Sequence, residues 1–453
     1  MKKTITLLLG VLFTTLSLKA QWSEVGGPYG FSAGQAFWLS IDFDGTIPYA
    51  AYRDCANGCS PTVMKFNGTA WQNVGSAGIT GAGSDYVSLA VVNSVPYIAF
   101  ADGANSNKLA VMKYTSGSWS YIGTSLSAGA ITGASIVADQ VNNLLYVSYL
   151  ASGTGSLSIQ KYNLGTQTWS SLSMSLYPAL STNYVGLSIY NGDLYTSASH
   201  WSTDTIVVAK RSSATGAWTN IRTHVTGTSP SKIGFDNSGN LYLAYVSFST
   251  GAARGAVLRC IGSAWQQLGA PLSLTSDTII APTNGMALAM DNNTPYVAYG
   301  NIHNYSKLSV SKYNGSSWQI VGTNDFSLGG SPVDYNSLKI VSSTPYIAYT
   351  AYSPIISNLR TYMMKFDIST GLNVYDDTEV SMFPNPVINI LHLDFKNTTQ
   401  HSVIEILDLT GKTILHQTLQ STNAINISEF ASGVYIVKVI NDGYTSVKRF
   451  VKQ

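Results

Sequence analysis

At 453 residues the chain is long enough for two or three domains with a sizeable core, and only 11% of it is charged. A formal net charge of +2 with no concentrated basic stretch excludes the usual electrostatic footprint of a nucleic-acid binder. The abundance of Tyr (28) and Gly (40) excludes a largely helical protein and suits β-sheet with short turns.

Residues 1–20 read as a secretory signal. Lys2 and Lys3 form the charged start, the stretch from Ile5 to Leu18 is mostly apolar, and Ala20 offers a small residue for cleavage. No later apolar run is long enough to span a bilayer, so an exported, soluble chain with no transmembrane segment after cleavage is expected. In that oxidising setting Cys55 and Cys59, four residues apart in one loop, can close a small disulfide. Zinc is the rival reading, without a second ligand pair to support it. Cys260 stands where other units carry a core aromatic and reads as a buried thiol.

A repeat then runs to about residue 371. A Tyr recurs at Tyr49, Tyr97, Tyr146, Tyr195, Tyr242, Tyr296 and Tyr346, in steps of 48, 49, 49, 47, 54 and 50. A basic residue follows at Lys65, Lys113, Lys161, Lys210, Arg259, Lys312 and Lys365, and a Trp at Trp71, Trp119, Trp169, Trp218, Trp265 and Trp318. Alternating runs such as Tyr97–Phe100, with hairpin signals at Asp44-Gly45, Asn191-Gly192, Asn67-Gly68 and Asn314-Gly315, give four short strands per unit. A period near 50 built this way predicts an all-β fold, a seven-bladed β-propeller over residues 21–372. The seventh unit lacks its Trp strand, and Gln21–Gly26 (QWSEVG) matches Trp71–Gly75 (WQNVG), so the N-terminal strand is expected to complete the last blade. Length varies in the loops joining strand two to three and blade to blade, which share one face of a propeller, the face where a ligand is expected.

The period stops near Asn373. Short alternating strands with turns at Asn385-Pro386, Gly411-Lys412 and Ser432-Gly433 predict a small β-sandwich over 373–453. With Pro384-Asn385-Pro386, the DLTGK stretch that ends at Gly411 and Lys412, Gly433-Val434-Tyr435, and a basic end at Lys448, Arg449 and Lys452, this segment resembles the type A sorting domain of the type IX secretion system. The resemblance implies a bacterium of the Bacteroidota, handling by the type IX machinery, export across the outer membrane, and release or attachment at the cell surface. The repeat is similar in general form to lectin-like propellers, and the KFNGTAW and KYNGSSW turns resemble the end of the Asp-box of sialidase-like propellers, with Asn in place of Asp. Those likenesses imply fold.

Chemistry is sparse. Glycoside hydrolysis uses two nearby carboxyl groups, and the repeat region holds one Glu, Glu24, on the closing strand. No catalytic, metal or cofactor motif appears, so catalytic residues, metal and cofactors are all read as none. The Trp series reads as inter-blade packing and the basic series as structural, its stems covering apolar surface. Candidate ligand-binding residues lie toward the variable face. They are Trp201 with His200 and Asp204, His303 with Tyr305, the acidic Asp54 and Asp102, and Arg53 and Tyr352. Trp201 stands outside the Trp repeat, and an aromatic face beside polar groups suits sugars. The expected function is therefore non-catalytic binding of glycans or another extracellular polymer by a monomer. A polysaccharide hydrolase or lyase, or a protein-docking surface, are the alternatives.

Overall fold

Period-two alternation broken by two-residue turns folds the repeat region into seven four-stranded antiparallel sheets. The structure is a computed structural model that describes residues 21–27, 30–172, 174, 185–200, 205–222, 231–247, 254–269, 286–301, 304, 306–328, 330–353, 358–367, 380–395, 402–408, 412–419, 424–441 and 444–453. The signal-like residues 1–20 lie outside that set. The described residues fall into two compact units, within 19–368 and within 369–453.

In the first unit, blades 1 to 6 are sequential meanders over 36–73, 84–123, 131–172, 185–222, 232–267 and 287–320. Blade 7 has three strands from 330–367, and Gln21–Glu24 adds the fourth, with Gln21 opposite Asp367 and Glu24 opposite Met364. The expected closing strand is therefore present. Apolar clusters join each consecutive pair of blades. Tyr49, Ala51 and Val63 of blade 1 pack on Leu89, Ile98 and Phe100 of blade 2. Val25, Ala348 and Met363 of blade 7 pack on Ala36, Ile41 and Tyr52 of blade 1. Equivalent clusters fill the interfaces between. This is a seven-bladed β-propeller with the second strand of each blade buried from both sides.

The three sequence landmarks turn out to be ladder partners. Tyr and basic residue face each other in all seven blades, as Tyr97 with Lys113 and Tyr346 with Lys365. The residue after the basic one pairs with the Trp, as Tyr114 with Trp119 and Cys260 with Trp265. Five of the seven indoles then reach into the preceding blade. Trp119 Nε1 donates to the Val74 carbonyl at 2.6 Å, Trp71 to Val25 at 2.7 Å, Trp169 to Ile122 at 2.7 Å, Trp318 to Leu268 at 2.8 Å, and Trp22 to Val321 at 2.9 Å. The residue after the accepting carbonyl is a Gly in every case. At Gly75 φ is +80°, and a Cβ there would lie 3.0 Å from the Trp119 ring. Only Gly combines that backbone with that proximity.

In the second unit a three-stranded sheet (Val380–Phe383, Ile390–Phe395, Ala424–Asn426) and a four-stranded one (Thr413–Leu419, Ser402–Leu407, Gly433–Asn441, Tyr444–Lys452) share a core of Leu391, Leu393, Ile404, Ile406, Ile425, Val437 and Phe450. The sequence motifs serve this fold. Asn385 accepts from Val451 N (2.9 Å) and donates to Arg449 O (3.2 Å), tying the Pro384–Pro386 turn to the last strand. Asp408 Oδ1 accepts from Lys412 N at 3.1 Å, and Tyr435 donates to Ala431 O at 2.9 Å. Gly411 lies outside the described residues.

Three outcomes follow. Deleting Gln21–Gly26 exposes the edge of blade 7 and empties the Trp22 site, so the melting temperature should fall by about 10 °C or more; an unchanged value contradicts the role of this strand. Trp119→Phe keeps an aromatic side chain but removes the N–H and strands the Val74 carbonyl, at a cost of about 1 kcal/mol or more, which a denaturant titration reads directly. Glu24, half-buried, has one carboxylate oxygen accepting from Gly30 N at 3.2 Å and the other without a partner among the described residues, with Tyr349 and Tyr362 nearby. Burial pushes its pKa up to about 7, against the smaller opposing effect of the Gly30 hydrogen bond. The folded state then holds a proton that the unfolded chain releases above 4.5, so stability is lost as pH rises from 4.5 through 7. Thermal melts of Glu24→Gln and wild type should coincide near pH 4 and separate in favour of the variant by pH 8.

Candidate ligand-binding site

Where the first and second strands of blades 1 and 2 meet the loop face, two bulges change the pleat. In blade 1 Phe37 faces Arg53 and Ser40 faces Ala51, so Trp38 and Leu39 together oppose Tyr52. In blade 2 Asp85 faces Ala101 and Ser88 faces Ala99, so Tyr86 and Val87 oppose Phe100. The extra residue re-aims its side chain. Trp38 (φ +53°) and Tyr86 (φ +58°) both take the left-handed conformation that bulky residues avoid.

These two strained positions bring a polar and aromatic cluster together across the blade boundary. The Trp38 and Tyr86 rings lie 4.4 Å apart between centroids, inclined at 54°. Asp85 Oδ1 accepts from Trp38 Nε1 at 3.1 Å and from Arg53 Nη1 at 2.6 Å. The Arg53 guanidinium stands 5.9 Å from the centre of the Phe37 ring. Arg53 and Asp85 keep 30% and 38% of their side-chain surface, so the pair is reachable from water. The cluster offers aromatic surface beside a charged donor and acceptor.

Of the residues singled out from sequence, Arg53 belongs to this cluster. Asp54 and Asp102 do other work. Asp54 is fully buried at the start of a short 3-10 turn and accepts from Ala56 N (3.1 Å), Asn57 Nδ2 (2.8 Å) and Thr62 Oγ1 (3.0 Å). Asp102 caps the equivalent turn in blade 2, accepting from Ala104 N at 3.1 Å and the Tyr121 hydroxyl at 2.9 Å. Burial and that hydrogen bond hold Tyr121 up at about 12. Cys55 and Cys59 are joined by a disulfide across the Asp54 turn. Tyr352 is exposed at the end of the second strand of blade 7, opposite Leu359. His200 ends the second strand of blade 4 opposite Thr205. The His200 side chain, and Trp201, Asp204, His303 and Tyr305 entirely, lie outside the described residues. Among the described residues no group of three or more His, Cys, Asp or Glu is placed to hold a metal ion.

Trp38 and Tyr86 escaped the sequence reading, although a signal exists. Each stands eleven residues before the landmark Tyr of its unit, and Tyr335 does so in blade 7, where the first strand also carries a register shift. Trp38, like Trp201, is outside the one-per-blade Trp series.

A concavity of about 650 Å³ opens on the tight-turn face between blades 5 and 6, lined by residues that include Tyr242, Arg259, Asp291, Tyr296, Lys312 and Tyr313.

Comparison with known proteins bears on fold and destination. The family model for the secretion system C-terminal sorting domain matches residues 381–453. No curated protein is similar in sequence. Solved structures similar to this chain include a polysaccharide lyase, an ulvan lyase, at 11% identity and a TM-score of 0.51, covering 78% of this chain and 97% of that one. A second polysaccharide lyase shares 9% identity at a TM-score of 0.50, covering 78% and 98%. Hydrazine synthase of Kuenenia stuttgartiensis shares 12% identity at 0.50, covering 75% and 98%. Identities this low across such different activities describe a common fold. No helix among the described residues is long and apolar enough to cross a membrane. The match at 381–453 and the tied-down turns of the second unit agree, and the chain carries a type IX secretion C-terminal sorting domain after a seven-bladed β-propeller.

Proposed function

We propose that the protein is exported by a cleaved N-terminal signal and the type IX machinery of a Bacteroidota cell, and that its propeller binds saccharides of an extracellular polymer as a monomer without turning them over. The observation that carries this reading is the pair of rings at Trp38 and Tyr86, held at positive φ beside the Arg53–Asp85 ion pair. Strain of this kind persists where the surroundings over-determine it, and it concentrates at ligand sites. Flat apolar faces beside a donor and an acceptor are what a pyranose requires. Catalysis has less support. Asp54 and Asp102 are engaged by loop-ordering hydrogen bonds, and Asp85 shares one oxygen between Arg53 and Trp38. The solved lyases lend the fold and nothing of their chemistry.

A polysaccharide array with the purified chain, run beside Tyr86→Ser and Arg53→Ala and paired with product analysis, tests the proposal. Binding without cleavage, weakened at least about tenfold in both variants while their melting curves stay near wild type, supports it. Shortened or unsaturated products would instead make the protein a hydrolase or lyase. Binding that ignores both substitutions moves the site elsewhere, and silence on every polymer turns the weight to protein docking.

A further inference from the structure

The cleft between blades 5 and 6 gathers two basic side chains from consecutive blades. Arg259 and Lys312 occupy the same ladder position in consecutive blades, opposite Tyr242 and Tyr296, and both line the one cleft. In blade 4 the equivalent lysine, Lys210, is neutralised by Asp193 at 2.6 Å, a residue two positions before the landmark Tyr. In blade 7 Lys365 is neutralised by Asp367 at 3.0 Å, two positions after the lysine. Blade 6 carries Thr294 and Asn314 at those two places. Asn314 is spent on its own turn, its Oδ1 accepting from Ser316 N and Ser317 N at 2.9 and 2.8 Å. Lys312 is therefore left without an ion pair among the described residues.

The rest of the lining offsets that charge only in part. Arg259 lies 3.7 Å from the buried Asp236, a loose pair, and its Nε has no partner among the described residues. Asp291, the carboxylate of the lining, accepts from Ser343 Oγ at 3.1 Å and Asn292 Nδ2 at 3.2 Å rather than from Lys312. Tyr296 and Tyr313 flank the lysine, and the amides of Gln266 and Gln319 complete the rim. A volume of about 650 Å³ lies in the range of small-ligand sites and accommodates one or two sugar units.

We propose that this cleft, on the tight-turn face, is a second binding site, for a saccharide that bears an anionic group, carboxylate or sulfate. Lys312 and Arg259 hold the anion, and the tyrosines and amides take the ring and its hydroxyls. The ligand class rests on the saccharide-binding reading above; the site does not, since it shares no residue with the cluster around Trp38.

Titration of the full chain at low salt with oligogalacturonate, with sulfated dextran and with neutral dextran reads this directly. One or both anionic ligands should bind at least about tenfold tighter than neutral dextran, and which of them does identifies the anion. Lys312→Ala should weaken that binding about tenfold and Lys312→Arg should restore it, with the affinity falling as salt rises. Asn314→Asp, which gives blade 6 the carboxylate that blade 7 carries, should weaken it as well without disturbing the fold. Neither anionic ligand binding, or equal binding by wild type and both weakened variants, overturns the proposal. Saccharide binding that depends on Tyr86 and not on Lys312 keeps the first site and removes this one. The converse keeps the cleft and removes the first site.

Discussion

One contact repeats around the propeller and sets its geometry: an indole N–H reaching the carbonyl at the end of the previous blade, over a glycine that has no side chain to obstruct it. At Trp119, Val74 and Gly75 the donor, acceptor and opening come from three positions that must agree across about 45 residues of chain. The hydrogen bond is worth only about 1 kcal/mol, but it satisfies a half-buried polar group on each partner and fixes how closely the two blades approach. It also explains why this series of tryptophans is unsuited to sugar stacking. In five of them the N–H group is committed, and rings of the series lie against neighbours such as Tyr114, Tyr162 and Phe326.

The same economy applies to the carboxylates. Asp54 and Asp102 organise the turns that follow a second strand. Asp42 accepts from Val91 N at 2.8 Å, linking first strands of adjacent blades, and Asp139 holds the Asn142 turn through two hydrogen bonds. A fold that spends its acids this way has few left for proton transfer. What varies from blade to blade is local: a bulge at the start of a first strand, or an Asp beside the ladder lysine, as in blades 4 and 7. The first candidate site arises from such a departure, the bulges at Trp38 and Tyr86, on a frame that otherwise repeats.

Much of the architecture was legible because period and pairing are local in sequence. Tyr, basic residue and Trp recur at fixed offsets since each is tied to a neighbour on the next strand, and Gln21–Gly26 announced itself by matching a strand it had no adjacent partner for. Turns built on Asn-Gly were equally plain. Those at Asn93-Ser94 and Ser342-Ser343 were not, because serine takes the left-handed conformation there without advertising it (φ +62° at Ser94, +49° and +58° at the serine pair). The cluster around Trp38 was hidden for a different reason. A bulge shifts register by one residue and turns a side chain that alternation assigns to one place into another. Arg53 could be chosen from its position near a loop; Asp85 acquires its partners only through that shift. The cleft between blades 5 and 6 depends on which ladder residues of consecutive blades converge, and that becomes visible only after the strand pairing is known.

The closing strand also governs the order of events during folding. Ser23 and Asp367, hydrogen-bonded neighbours in blade 7, are 344 residues apart in sequence, so the pairing with the highest contact order in the propeller joins its two ends. A nascent or partly delivered chain can form interior blades one hairpin at a time, yet blade 7 stays a three-stranded sheet with an open edge until both ends are together. Completion is thus a checkpoint on chain integrity: a molecule clipped at either end of the repeat loses the same strand pair, and loses it entirely.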